Sequence, residues 1–255
     1  GKEEVETNTA IEIDGTNGVT AGEYTIHLAA GKEYTAEDLT RNDKLFSNRL
    51  RTRVLEEFYM SHLISKVYIY ILSNGDVIHL MFDDDQFCHL LGLSYFGYKG
   101  KYGWNVLKER NILICNLHDI ENHMREEIRI TNFPKILKIL ECPTVYLFRN
   151  TSMNYKADYF AVWKDGKRYY KLGIGTSANG INYGETYQVS LIKSKDNREI
   201  DSKHLLTVCQ KCIMQRKIFN HLYYPIYLFI KIRKNLKFFQ GSSPLPACET
   251  QHFPV

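Results

Sequence analysis

Four short runs of β-branched and aromatic residues dominate the chain between residues 144 and 191. Turn residues separate the runs, and Asp165-Gly166 joins two of them. A tight hairpin needs a positive φ angle, which glycine adopts without strain. The pattern therefore predicts an antiparallel meander of four strands in this region.

Helical spacing and a further hairpin precede the meander. Apolar residues recur at helical spacing within residues 45–66, and residues 67–82 read as a hairpin that turns at Asn74-Gly75. Three successive aspartates are typical of a helix start, here of a helix that runs on through residues 87–93. Further helices are predicted for residues 104–117, 119–130 and 134–140. The expected fold is α+β, with N-terminal helices and a hairpin followed by a helical layer packed on a four-stranded antiparallel sheet.

Charge divides the chain into three expected regions. Residues 1–40 contain nine acidic residues and two lysines, so residues 1–44 are predicted to be an acidic leader or a small β appendage. Residues 45–200 are predicted to form the main domain. Residues 201–255 are predicted to be a basic C-terminal helix, over 202–219, and a tail. The apolar stretch in that tail is too short and too interrupted to predict a membrane span.

Cations interleaved with aromatic rings run through the predicted meander. Single-stranded nucleic acid needs both groups, because cations hold phosphates and rings stack on unpaired bases. A half-exposed sheet with tyrosines inside and lysines outside produces the same pattern, so the pattern alone leaves both interpretations open. The cations are Arg149, Lys156, Lys164, Lys167, Arg168 and Lys171, and the rings are Tyr155, Tyr159, Trp163, Tyr169 and Tyr170.

The six cysteines are scattered, and most lie in apolar runs. Such cysteines behave as small hydrophobic residues, and reduced thiols suit a cytoplasmic protein. Cys209 and Cys212 have the spacing of a zinc or redox pair, but His221, Cys248 and His252 would have to complete a zinc site. Zinc binding, redox chemistry and plain structural thiols stay open for this pair, and no metal is expected for the main domain.

The segments FCHLLGL (87–93), KADYF (156–160), YYKLGI (169–174) and ETYQVSL (185–191) resemble the phage-associated branch of the barnase–EndoU–colicin–RelE-like nucleases. The similarity extends over residues 68–195 and depends on the order of a histidine-bearing helix, a helical middle and a four-stranded sheet. The resemblance implies a small ribonuclease, such as a toxin or phage effector, that needs no metal or other cofactor. It implies RNA as the partner, with tRNA as one candidate, and an immunity or antitoxin protein as a second partner.

RNA cleavage without a metal needs a general base, a general acid and cations around the pentavalent phosphate. His89 is the first candidate, because the resembling family carries a histidine at this place in its helix. The full set of expected catalytic residues is His89, Lys156, Tyr159, Lys171, Thr186 and Ser190. Arg149, Arg168 and Tyr170 are expected to bind phosphate or RNA.

Strand alternation predicts which of these side chains share a face of the sheet. Arg168 and Tyr170 are expected on one face, with Lys171 on the other. Thr186 and Ser190 belong to a polar stripe with the glutamine between them. Lys156 and Tyr159 are expected to point to opposite faces of a regular strand, so that a bulge or a strand end would be needed to bring both to one site.

Two other functions fit the same sequence. The first is a module on the same scaffold that binds RNA or a protein without cutting. The second is a toxin-delivery or phage structural protein in which residues 1–44 carry the main function. A convergent cluster of His, Lys and Tyr side chains in the folded sheet would favour the ribonuclease over the binding module.

Overall fold

The computed structural model describes residues 29, 31–42, 44–117, 123–148, 156–178, 180–191 and 204–220, with only the backbone at 123–125. The predicted β appendage around residues 19–28, the phosphate-binding candidate Arg149 and the tail from residue 221 lie outside these residues.

Six short α-helices of the described residues are numbered here, and residues 216–220 are helical as well. Each helical region predicted between residues 45 and 140 contains a helix, and α2, α3, α4 and α6 are shorter than their patterns suggest. α3 ends after one and a half turns because Gly92 adopts a left-handed φ of 78°. No helix in the described ranges is both long enough and apolar enough to cross a membrane. The helices are α1 (Ala36–Arg41), α2 (Thr52–Tyr59), α3 (Phe87–Leu91), α4 (Gly100–Arg110), α5 (His123–Thr131) and α6 (Ile136–Glu141).

Eight strands form one mixed sheet in the order β7-β3-β4-β5-β6-β2-β1-β8. The expected sheet of four antiparallel strands is therefore wrong as a description of the fold. The predicted meander is present as β3–β6, but β2 adds to it through a short parallel pair with β6. The strands are β1 (Lys66–Leu72), β2 (Val77–Met81), β3 (Thr144–Leu147), β4 (Tyr159–Asp165), β5 (Arg168–Thr176), β6 (Asn182–Leu191), β7 (Leu205–Leu206) and β8 (Val208–Gln215).

The strands at the two ends of this order are consecutive in the chain. β7 pairs with β3, and β8 pairs with β1, with only Thr207 between them. The sheet therefore curls into a nearly closed barrel. The helix predicted over residues 202–219 is wrong for most of its length, since only residues 216–220 are helical. The short apolar pattern of residues 205–215 fits a strand as well as a helix. The pairing that makes β8 a strand is with β1, which lies far away in sequence.

The sheet has two different faces where β5 and β6 pair. On the helix-covered face, Tyr170, Leu172 and Ile174 of β5 and Tyr187 of β6 are buried in one core with the helices. The Tyr187 hydroxyl donates to a backbone carbonyl oxygen at the end of α5, at 2.7 Å. The alternate residues of β5 and β6 point to the opposite face, which we call the polar face.

Part of the predicted leader packs on the main body. Tyr34 and Leu39 are buried in the large core. Arg51 donates two hydrogen bonds to the carboxylate of Glu33, at 2.7 and 2.8 Å. α1 begins with a capping box in which Thr35 and Asp38 satisfy each other's backbone N–H groups. The described part of the leader is thus fixed by apolar burial and by a two-pronged ion pair.

Candidate functional site

The polar face consists of three rows of side chains that cross β4, β5 and β6. Directly opposed residues of an antiparallel pair have Cβ atoms about 4.5–5.5 Å apart, so each row is a set of neighbours. Lys171 lies in the middle row, with Thr186 and Ser190 in the rows on either side. The rows are Lys164, Tyr169 and Ser190; Val162, Lys171 and Gln188; and Phe160, Gly173 and Thr186.

Lys171 is the most unusual residue of the polar face, because its side chain is fully buried. A buried ammonium group is costly unless other groups compensate its charge. Thr186 is also buried, whereas Gln188 and Ser190 are half-buried. Solvent therefore reaches this face at Gln188 and Ser190, whereas Lys171 itself has no exposed surface. The structure brings together three predicted site residues here, Lys171, Thr186 and Ser190.

Gly173 allows the close packing of this face. A methyl group at Gly173 would lie 2.7 Å from Cγ2 of Thr186 and 3.3 Å from the ring of Phe160. The absence of a side chain at Gly173 therefore lets Thr186 lie against the backbone of β5. The space above this glycine is occupied by the protein's own side chains, and this fixes the position of the threonine.

A register shift at the end of the polar face leaves Glu185 as an extra residue in β6. Its Oε1 atom accepts a hydrogen bond from the backbone N–H of Lys156, at 3.4 Å. Burial and then the nearby Glu185 carboxylate raise the pKa of Tyr183. Lys156 itself is exposed and precedes β4. Sequence reasoning missed Glu185 and Tyr183 because a bulge depends on the partner strand and has no clear local signal.

His89 does not share a face with Lys171. It is exposed on α3, and its carbonyl oxygen accepts a hydrogen bond from the guanidinium group of Arg129 at 2.8 Å. Cδ1 of Leu90 lies 3.4 Å from the place that a Cβ atom on Gly184 would occupy, so α3 packs on the helix-covered face. The structure therefore separates His89 from Lys171, Thr186 and Ser190 by the thickness of the sheet.

β6 nevertheless links the two locations. It carries Thr186 and Ser190, and α3 with His89 packs against it. Among the described residues, β6 pairs with β2 only at Asn182 and Tyr183. Residues 184–189 at this edge of β6 pair with no other strand of the described ranges. His89 and the polar face lie on the two sides of that edge.

Three other predicted residues belong to the helix-covered face. The Tyr159 hydroxyl donates to Asp76 Oδ2 at 2.9 Å, and burial followed by this contact raises its pKa. Tyr170 is buried, with the ammonium of Lys135 5.4 Å from its ring centroid. Arg168 is half-buried at the start of β5. A substrate on the polar face would not touch these side chains.

The family model for phage-Barnase-EndoU-ColicinE5/D-RelE like nuclease 4 matches residues 56–226, which is more than half of the chain. The chain belongs to this nuclease family. The resemblance predicted from the sequence is confirmed, and the match extends it to α2 at one end and to β8 at the other. Neither the curated proteins nor the solved structures contain a match to the chain.

This nuclease also has a cavity of about 340 Å³ away from the polar face. Lys108 at its rim lies 3.6 Å from the carboxylate of Glu56, whose pKa is raised by burial. Two carboxylates in the lining oppose the approach of a phosphate, so the polar face fits a nucleic acid better. The cavity is lined by Met60, Ile64, Asp83, Asp84, Trp104 and Lys108.

The cysteine pair of the nuclease lies on a strand. Cys209 and Cys212 are three residues apart in β8, and residues at that spacing point to opposite faces of a regular strand. Cys212 packs against the small core that contains Val67 and Ile69. In the described ranges, no group of three His, Cys, Asp or Glu side chains is arranged to hold a metal ion. His221, Cys248 and His252 lie outside these ranges.

Proposed function

We propose that this nuclease is an endoribonuclease in which the 2′-hydroxyl of the substrate attacks the adjacent phosphate and leaves a 2′,3′-cyclic phosphate. The observation that carries the proposal is the buried Lys171 between Thr186 and Ser190 on one face of the sheet. A nuclease has to stabilise the negative charge that grows on the phosphate. A fixed cation flanked by hydroxyl donors provides that stabilisation without a metal ion.

Each group on the polar face has a role in this proposal. The ammonium of Lys171 stabilises the pentavalent phosphate, and the hydroxyls of Thr186 and Ser190 donate hydrogen bonds to its oxygens. Lys156, which is exposed beside the same face, binds a neighbouring phosphate. Glu185 is a further candidate for proton transfer, because it is the extra residue of β6 next to Thr186, at the end of the polar face.

His89 is the proposed acid or base on the other side of the β6 edge. Histidine is the usual general acid or base of metal-independent ribonucleases, because an imidazole ring can both take and give a proton during cleavage. An RNA strand that crosses β6 next to its pair with β2 contacts both α3 and the polar face. In a toxin, an immunity protein would inhibit the enzyme most directly by covering this edge.

The test is cleavage of total RNA and tRNA in excess EDTA by the wild-type protein and by Lys171→Met and His89→Ala. Each variant should lower kcat/KM by about 100-fold or more if its side chain acts in the transition state. Lys167→Met is the matched control, because Lys167 is an exposed lysine in the adjacent turn. Products should carry a 2′,3′-cyclic phosphate, detected by mass spectrometry.

Three outcomes would contradict the proposal. Loss of cleavage in EDTA would contradict metal independence. Loss of activity in only one of the two variants would assign catalysis to one side of β6 and exclude a joint site. Equal losses in Lys171→Met and Lys167→Met would show a general effect of charge on RNA binding.

A second candidate function is an RNA-binding module of this family that does not cut. The observation in its favour is that His89, Lys171 and Tyr159 do not converge in the described structure. The same assay separates the two functions. Binding of RNA by a pure, folded wild-type protein with no cleavage product would support the module.

A further inference from the structure

Two large aromatic side chains project into solvent beside α3. Tyr95 is 53% exposed and Tyr102 is 77% exposed. An exposed ring keeps apolar surface in contact with water, and stacking on another flat group would remove that surface. Neither ring belongs to the polar face or to the cores of the described residues.

The backbone between these two tyrosines is held firmly. The backbone N–H of Tyr95 donates to the carbonyl of Gly92, and that of Tyr98 donates to the carbonyl of Leu93. A methyl group at Gly103 would lie 2.5 Å from the carbonyl carbon of Tyr98. The start of α4 therefore packs directly on the segment that carries Tyr95. The two rings are presented by a compact turn of the chain.

The charged groups next to the rings are two exposed lysines and Asp84. Lys99 and Lys101 are exposed, and the first turn of α4 contains no acidic residue. Lys101 makes an ion pair with Asp84 at 3.4 Å, with side chains that are 72% and 38% exposed. Ion pairs this open to solvent contribute little stability. A phosphate on the solvent side of Lys101 therefore competes with Asp84 for the ammonium group, and Lys99 has no ion pair among the described residues to give up.

We propose that Tyr95, Lys99, Lys101 and Tyr102, here named the tyrosine–lysine surface, bind a single strand of RNA. The rings stack on unpaired bases, and the lysines contact the phosphates between them. Double-stranded RNA keeps its base faces stacked inside the helix, so it cannot use the rings. The inference rests on the proposed function in taking RNA as the substrate. α3, with His89, leads directly into this surface and so connects it with the β6 edge.

The test measures binding of a fluorescent 2′-O-methyl single-stranded RNA by anisotropy, since this probe has no free 2′-hydroxyl to attack. Tyr95→Ala and Tyr102→Ala should each weaken binding by about fivefold or more, and Tyr102→Phe should bind like the wild type. The double variant Lys99→Gln/Lys101→Gln should lower the slope of log K against log salt by about 1.4. Phe46→Ala is the matched control, because Phe46 is an exposed ring 4.9 Å from the ammonium of Lys44 elsewhere on the surface.

Wild-type affinity in both tyrosine-to-alanine variants would contradict RNA binding by the tyrosine–lysine surface. So would a loss of affinity in Phe46→Ala as large as that in these variants, or an equal affinity of the wild type for a duplex of the same length. Cleavage of unmodified RNA, measured in parallel, separates this inference from the proposed function. RNA binding that depends on the two rings, without any cleavage, would support the tyrosine–lysine surface and contradict the ribonuclease proposal. Cleavage by a protein that binds RNA equally well without either ring would support the ribonuclease proposal and contradict the tyrosine–lysine surface.

Discussion

Lys171 and Leu172 are neighbours in β5, and both are fully buried, but they point to opposite faces of the sheet. Leu172 lies in the large apolar core under the helices, where burial of its side chain stabilises the fold. Burial of the Lys171 ammonium group instead costs free energy, because it removes a charge from water. Burial alone therefore does not distinguish a core residue from a residue of the candidate site, whereas the chemical type of the buried side chain does.

The largest expected effect on stability is at Leu172. Leu172→Ala should lower the free energy of unfolding by about 2–5 kcal/mol, because it removes packed methyl groups and leaves a cavity. Activity per folded molecule should stay close to that of the wild type. Urea unfolding and kcat/KM corrected for the folded fraction would measure both quantities.

Lys171→Met is the counterpart of this variant. The methionine keeps a side chain of similar length, but it leaves the groups that interact with the buried ammonium unsatisfied, and this costs stability. We expect a lower free energy of unfolding than in the wild type, together with the loss of activity given above. A folded Lys171→Met protein with the kcat/KM of the wild type would show that the lysine is a structural group.

Two glycines allow the same substitution to be made on each face. A methyl group at Gly184 would lie 2.6 Å from the buried ring of Phe82, and one at Gly173 would lie 2.7 Å from Thr186. Either alanine variant should cost about 1–3 kcal/mol of stability, because both sites are already tightly packed. Only Gly173→Ala should also lower kcat/KM, since it displaces a proposed phosphate ligand. Equal kcat/KM in the two folded variants would argue against a role for Thr186.

The smallest expected effect concerns Glu56, a buried charged group with no proposed role in cleavage. Burial raises its pKa in the folded protein above the ordinary value. The contribution of the Glu56 carboxyl group to the free energy of unfolding is therefore fully present below its pKa in the unfolded chain. This contribution is lost as the pH rises through its pKa in the folded protein. Glu56→Gln should remove this part of the pH dependence of unfolding. Glu57→Gln, at an exposed neighbour, should leave it unchanged.

The parts of the fold that depend on local sequence could be predicted. Gly75 and Gly166 adopt the positive φ angles that the two hairpins require, 86° and 53°. Period-two alternation also placed Thr186 and Ser190 on one face and Tyr187 on the other, as the strand pairing shows. Both inferences use interactions between residues that are close in sequence.

The parts that depend on distant partners could not be predicted. β8 has an ambiguous pattern and becomes a strand because β1 pairs with it, with Lys66 opposite Gln215. The depth at which Lys171 is buried depends on everything packed around β5, whereas alternation gives only its side. The location of α3 relative to the polar face likewise depends on how helices pack on the finished sheet.

The long separation between β1 and β8 has a consequence during protein synthesis. β1 leaves the ribosome early and finds β2 at once, but its other edge has no partner until β8 has been made. An unpaired strand that bears buried residues such as Val67 and Ile69 is prone to associate with other chains. A polypeptide that stops before residue 208 contains the whole polar face and α3, yet it exposes this edge. Translation has to proceed past residue 215 before β1 gains its second partner and the sheet that positions Lys171 is complete.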